Sequence, residues 1–134
     1  MSLFKRIFSA KETTKNDEAS APASKWLKLN TIEQVDLLKK ISEEKLVVIF
    51  KHSTRCGISS MVWNRFQNNE YLAREDVHFF YLDLLSYRDI STAIAQEFQV
   101  LHQSPQLIIL KNNEVVHHSS HSAVNASVLA NFLD

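Results

Sequence analysis

Leu46-Val47-Val48-Ile49-Phe50 is an unbroken apolar run rich in β-branched residues, and a helical pattern starts only a few residues later. Such a run suits a central strand buried on both faces rather than an edge strand with one wet face. Between strand and helix stands Lys51-His52-Ser53-Thr54-Arg55-Cys56-Gly57-Ile58-Ser59, which holds the only cysteine and the only glycine of the chain. Ile58, Met61, Val62, Phe66 and, more loosely, Tyr71 repeat at helical spacing, so Cys56 opens a helix expected to reach about Asn69.

The other segments fall around that unit. Ser9 to Ser24 is polar, contains Pro22 and almost no large apolar residue, and reads as a flexible tail over residues 1–24 ahead of a domain spanning 25–134. Within the tail, Phe4, Ile7 and Phe8 share one side of a short basic segment with Lys5 and Arg6, suited to a membrane surface or a partner, or else a frayed terminus. Trp26, Leu27 and Leu29 suggest a first strand, and Thr31 with Gln34 makes a capping box for a helix from about Ile32 to Glu44. Val77 to Leu82 is a further strand, and Asp89 or Ser91 caps a helix whose buried stripe is Ile90, Ile94, Ala95 and Phe98. Leu107–Leu110 and Val115-Val116 form a hairpin across Asn112-Asn113, since Asn tolerates positive φ. A last helix is expected from about Ala123 to Leu133. A βαβ half followed by a ββα half calls for an α/β domain with a central mixed β-sheet flanked by helices on both faces.

Composition excludes several function classes. Fifteen basic residues balance fifteen acidic ones, so no net field steers the protein to nucleic acid. No stretch approaches the roughly 20 apolar residues that span a bilayer, so no integral membrane segment is expected. One cysteine cannot form an internal disulfide, and the opening residues do not read as a secretory signal, so a reducing cytoplasm is the expected compartment. The six histidines lack the paired couplets of a zinc site, and successive strand residues such as His117 and His118 point to opposite faces, so no metal is expected.

The thiol is the leading chemical feature. A helix N-terminus offers unpaired N–H groups and a positive dipole end, which favour a thiolate. Arg55 and Lys51 are candidate cations for it, and His52 and Ser53 candidate hydrogen-bond donors. Thr54 is a candidate helix cap and Ser59 a candidate donor to the sulfur. The alternative is a buried, inert cysteine packed as a small hydrophobe. The lone glycine, Gly57, points to backbone freedom or a close approach beside the thiol.

A cysteine at the head of the helix after the central strand, and Ser104-Pro105 at the start of the hairpin, resemble the thioredoxin-like fold. That resemblance implies a cis Ser104-Pro105 bond beside the thiol. Phe50 to Ser59, Tyr87-Arg88-Asp89-Ile90-Ser91, His102-Gln103-Ser104-Pro105-Gln106 and Ser120-His121-Ser122-Ala123 together resemble the monothiol bacilliredoxins of the YtxJ type, over nearly everything from Trp26 onward. The commonest form of that family has proline where this chain has Gly57. The resemblance implies a thiol–disulfide oxidoreductase that removes bacillithiol from S-bacillithiolated client proteins through a mixed disulfide on Cys56, with Thr54, Arg55, Gly57, Ile58 and Ser59 as its active-site motif. Ser59 stands where dithiol relatives carry a second cysteine, so a further thiol must come from outside. Ser104, Pro105, Arg88, His121 and His52 are the residues it implies for the thiol ligand, with Arg88 and His121 suited to its carboxylates. No tightly bound cofactor is implied; bacillithiol is the low-molecular-weight cosubstrate, and a Cys56-linked homodimer is a further expectation on oxidation. Two other readings remain. Cys56-Gly57-Ile58-Ser59 is similar to the C-G-F-S signature of glutaredoxin-like iron–sulfur carriers, and a redox-inactive thioredoxin-like binding module would use the groove beside Pro105.

Overall fold

A computed structural model describes residues 25–133, so the tail expected over 1–24, with its Phe4–Phe8 segment, lies outside the described residues. The chain runs β1 (Trp26–Lys28), α1 (Glu33–Ser42), β2 (Leu46–His52), α2 (Gly57–Phe66), a 3-10 turn (Glu70–Ala73), β3 (Val77–Asp83), α3 (Arg88–Phe98), β4 (Gln106–Lys111), β5 (Glu114–Ser120) and two further 3-10 segments, His121–Ala123 and Ala126–Phe132. The strands form one sheet in the order β1-β3-β2-β4-β5. β1, β3 and β2 are parallel, whereas β4 and β5 join antiparallel to β2, giving the mixed sheet of a thioredoxin-like α/β fold.

β2 occupies the middle, and all seven of its residues are buried. Its alternating side chains feed two cores. Val47 and Ile49 meet Val35 and Leu38 of α1 and Ile90 and Ile94 of α3 on one face. Val48 and Phe50 meet Val62 and Phe66 of α2, Val124 and Leu129 on the other. The buried run therefore extends two residues past Phe50, through Lys51 and His52.

Several local expectations are corrected. α1 has Ile32 at its N-cap, already helical at φ −66°, so Thr31 does not cap it through its side chain. Half of the expected box survives: Gln34 Oε1 accepts from the Asn30 and Thr31 N–H groups at 2.7 and 2.9 Å. Neither Asp89 nor Ser91 caps α3, whose N-cap is Tyr87. The turn before it is set by Asp83, whose carbonyl accepts from Tyr87 N–H and whose carboxylate accepts from Leu85 N–H and Ser86 Oγ, so the helix starts earlier. α2 ends at Phe66, because Asn69 accepts from Tyr71 N–H and opens a separate 3-10 turn. The expected last α-helix is instead two 3-10 segments, broken at Asn125, whose side chain accepts from Ser127 N–H. The hairpin is as the sequence implies: Asn112 and Asn113 carry φ of 53° and 67°, and Ser42 accepts from both of their N–H groups.

Candidate functional site

Cys56 is the N-cap residue of α2, extended at φ −104° and ψ 123°, and half-buried. A tight turn carries the chain there from β2, closed by the Cys56 N–H donating to the Ser53 carbonyl at 3.1 Å. Thr54 and Arg55 lie exposed in that turn. No side chain caps α2, so Thr54 does not have the capping place expected of it.

Ser59 lies one helical turn past Cys56 and is fully buried. Its hydroxyl accepts from Ser53 N–H at 3.0 Å and pairs with His52 Nδ1 at 2.7 Å, a contact that either tautomer of the ring can make. The expectation of a Ser59 bond to the sulfur is corrected accordingly, because this hydroxyl holds the base of the turn. His52 is likewise committed to Ser59. Its ring stacks on Trp63 at 6.0 Å and meets Tyr81 at 5.9 Å and Phe50 at 6.2 Å. Burial lowers the His52 pKa, with Asp83 opposing, so the ring is neutral at pH 7. Burial, aided by Asp83, pushes the Tyr81 phenol up to about 12.

Gly57 departs from expectation. Its φ is not positive, and a Cβ placed on it meets nothing within 4 Å, so neither a special backbone angle nor a close approach requires glycine. It is the first residue of α2, a position that ordinary residues and proline also occupy. Ile58, next along, is half-exposed.

The hairpin brings the second part of the site to the same sheet end. β2 and β4 pair Lys51 with Gln106, and the register carried one residue further sets Pro105 beside His52. The Ser104-Pro105 bond is cis, as the family resemblance implies. The Pro105 carbonyl accepts from His121 N–H at 2.9 Å, so His121 joins this end through its backbone, held at φ 57° with its side chain exposed. Ser104 Oγ is buried and has no hydrogen-bond partner among the described residues. Arg88 is exposed at the start of α3.

Lys51 lies on the opposite face from His52 and is fully enclosed. The sequence offered it as a cation for the thiol; it faces away instead, toward α3 and the chain before Pro105. Its Nζ lies 3.5 Å from the Ser91 carbonyl and 3.4 Å from His102 Nδ1. Burial lowers its pKa to about 8. Ser91, His102 and Gln106 were not expected at the site. Strand alternation was the available signal for Lys51, since it shares a face with Val47 and Ile49.

Among the described residues, no group of three or more His, Cys, Asp or Glu side chains is placed to hold a metal ion, and no helix is long and apolar enough to cross a membrane.

A mixed sheet that delivers a single cysteine to the head of a helix, with a cis-proline turn at the same sheet end, defines a thiol oxidoreductase of the thioredoxin class. The chain belongs to the monothiol bacilliredoxin BrxC family, which it matches over residues 27–129. It is similar to a solved structure described by a thioredoxin fold and an oxidoreductase assignment, at 34% identity and TM-score 0.69, over 82% of this chain and 95% of that one. Mitochondrial thioredoxin 3 from Saccharomyces cerevisiae matches at 23% identity and TM-score 0.58, over 84% and 96% of the two chains. Thioredoxin from Trypanosoma brucei brucei matches at 22% and 0.59, over 85% and 90%; these two show the fold.

Proposed function

We propose that this chain removes bacillithiol from S-bacillithiolated proteins by monothiol exchange. The Cys56 thiolate attacks the bacillithiol sulfur of a mixed disulfide, a new S–S bond forms as the old one breaks, and the client cysteine leaves as a thiolate. Bacillithiol then rides on Cys56 until the thiolate of a second thiol from solution attacks the bacillithiol sulfur, forming a disulfide with it and releasing Cys56 as a thiolate. The observation that carries the reading is a family-matched chain whose one cysteine heads α2 while the residue three places on is a buried, hydrogen-bonded serine.

The first-turn N–H groups of α2 favour negative charge at that helix start. The Ser104-Pro105 turn shares a sheet end with the Cys56 turn, which supports strand-like pairing of an extended ligand there. Arg88 and His121 are the side chains assigned to the carboxylates of bacillithiol, with Thr54, Arg55 and Ile58 lining the thiol turn. The chain works in the reducing cytoplasm with bacillithiol as cosubstrate and no resident cofactor, and joins a second copy through Cys56 only under oxidation.

Incubation with a bacillithiolated test protein, alongside a glutathionylated one, tests this by intact mass. The expected result is a bacillithiol adduct on the wild type, formed faster than the glutathione adduct and absent from Cys56→Ser. Absence of any adduct from either donor overturns the reading.

A further inference from the structure

Buried charge is tolerated when it is paired or well hydrogen-bonded. Lys51 is neither. It has no exposed surface, and it belongs to neither of the ion pairs among the described residues, Lys39–Glu97 and Arg74–Asp76. Its two polar contacts, at 3.4 and 3.5 Å, lie beyond the usual 2.7–3.2 Å range of an N–H donor. Three donors thus share two long contacts.

The helix that covers it carries a further cation, Arg88. His102 lies exposed over the ammonium, with its Nδ1 also 3.3 Å from Ser91 Oγ. Arg88 precedes Ser91 by one turn of α3, so the two side chains occupy one helix face. Burial lowers the His102 pKa, and the positive charges of Lys51 and then Arg88 lower it further. The nearby carboxylates do not balance them. Asp83 is engaged by Leu85 and Ser86, and Asp89 is exposed next to Arg88 on the first turn of α3. His102 is also three residues from Pro105, and Gln106 Nε2 donates to the Leu101 carbonyl at 3.0 Å, which fixes the start of this segment. Two buried oxygens there, Ser104 Oγ and Gln106 Oε1, lack partners among the described residues.

We propose that Arg88 and His102, backed by the buried Lys51, form a carboxylate-binding subsite beside the Ser104-Pro105 turn that recognises the acidic group of the small thiol exchanged at Cys56. The subsite deepens the function proposed above and rests on it. Arg88 supplies a planar pair of donors to the carboxylate, His102 an N–H, and Lys51 a fixed positive charge beneath. The buried ammonium then has a purpose its own contacts do not provide.

Binding and exchange are tested separately. The Cys56→Ser chain is titrated with succinate, and with succinamide as the uncharged probe, while backbone and imidazole NMR signals are followed. Succinate is expected to give saturable shifts at His102 and Arg88 and to raise the His102 pKa, whereas succinamide gives neither. Arg88→Gln, a surface change, and Lys51→Met are each expected to weaken succinate about tenfold, the scale of one charge-assisted hydrogen bond. In the second arm, the chain with Cys56 intact is reacted with the disulfides of mercaptosuccinate and of 2-mercaptoethanol. The rate ratio favouring mercaptosuccinate is expected to fall about tenfold in both variants. Equal slowing with both disulfides, or no succinate shift, overturns the subsite. Succinate binding with no adduct from either disulfide instead overturns the exchange reading while leaving the anion site standing.

Discussion

His52 and Lys51 are consecutive residues of β2, both enclosed, and they face opposite ways. His52 is neutral, boxed by Trp63, Tyr81 and Phe50, and hydrogen-bonded at 2.7 Å to Ser59, which in turn holds Ser53 and the base of the cysteine turn. Lys51 retains a charge at neutral pH and makes only long contacts. One buried polar group is spent on shape, and the other is left under-used. Satisfied buried groups rigidify a structure; a poorly satisfied one at a sheet end that also carries a thiol is where a ligand would lower the energy.

Substitutions should separate the two faces. Trp63→Ala removes the ring that covers His52, Phe50 and Trp26, and is expected to cost about 3–5 kcal/mol by chemical denaturation. A loss below about 1 kcal/mol would mean that the aromatic box is not what holds this face.

Lys51→Met should act in the opposite direction, stabilising the fold at pH 7 by about 1–3 kcal/mol, because charging an enclosed ammonium opposes folding. The sign follows from the pKa. The group titrates at 10.5 when unfolded and at about 8 when folded, so between those values the unfolded chain holds a proton that the folded chain has released. Stability contributed by this residue therefore rises as pH increases from about 8 toward 10.5, and denaturation curves of Lys51→Met should lack that rise. If the substitution destabilises at pH 7 instead, Lys51 is a well-served structural group and the contrast with His52 fails.

Ser59→Ala is the smallest of the three, about 1–2 kcal/mol, since it leaves the Ser53 N–H and His52 Nδ1 without their buried partner. Its effect should be confined to the His52 face, measurable as faster amide exchange at Ser53 and Cys56 with α3 unchanged.

Much of this arrangement is legible from local pattern. The apolar run of β2, the helical repeat after Cys56 and the Asn112-Asn113 turn each follow from rules spanning fewer than about ten residues, where periodicity and φ preference act directly. Helix boundaries are less legible because tertiary neighbours set them. Asp83 fixes the turn into α3 through a carboxylate six to eight residues before the capping residues favoured by propensity, and Asn125 splits a segment whose apolar spacing alone is helical. The Lys51 cluster is the least legible. Its members come from β2, α3 and the chain before β4, and only the fold brings Ser91 and His102 over Lys51. Ser59 illustrates the same limit: its spacing from Cys56 suggests a partner for the sulfur, but its hydroxyl is engaged by His52 and Ser53.

The hydroxyl at position 59 also has a consequence at the scale of the cell. With one cysteine in the chain and a serine locked where a resolving group would stand, a molecule that accepts cargo in the proposed exchange cannot discharge it unaided. If the chain exchanges bacillithiol as proposed, each copy holds one adduct and then waits, so the number of copies sets how much cargo can be stored at once and the supply of outside thiol sets how quickly the store empties. In that regime the protein behaves as a capacitor for oxidised sulfur, whose capacity is set by expression and whose discharge is set by metabolism.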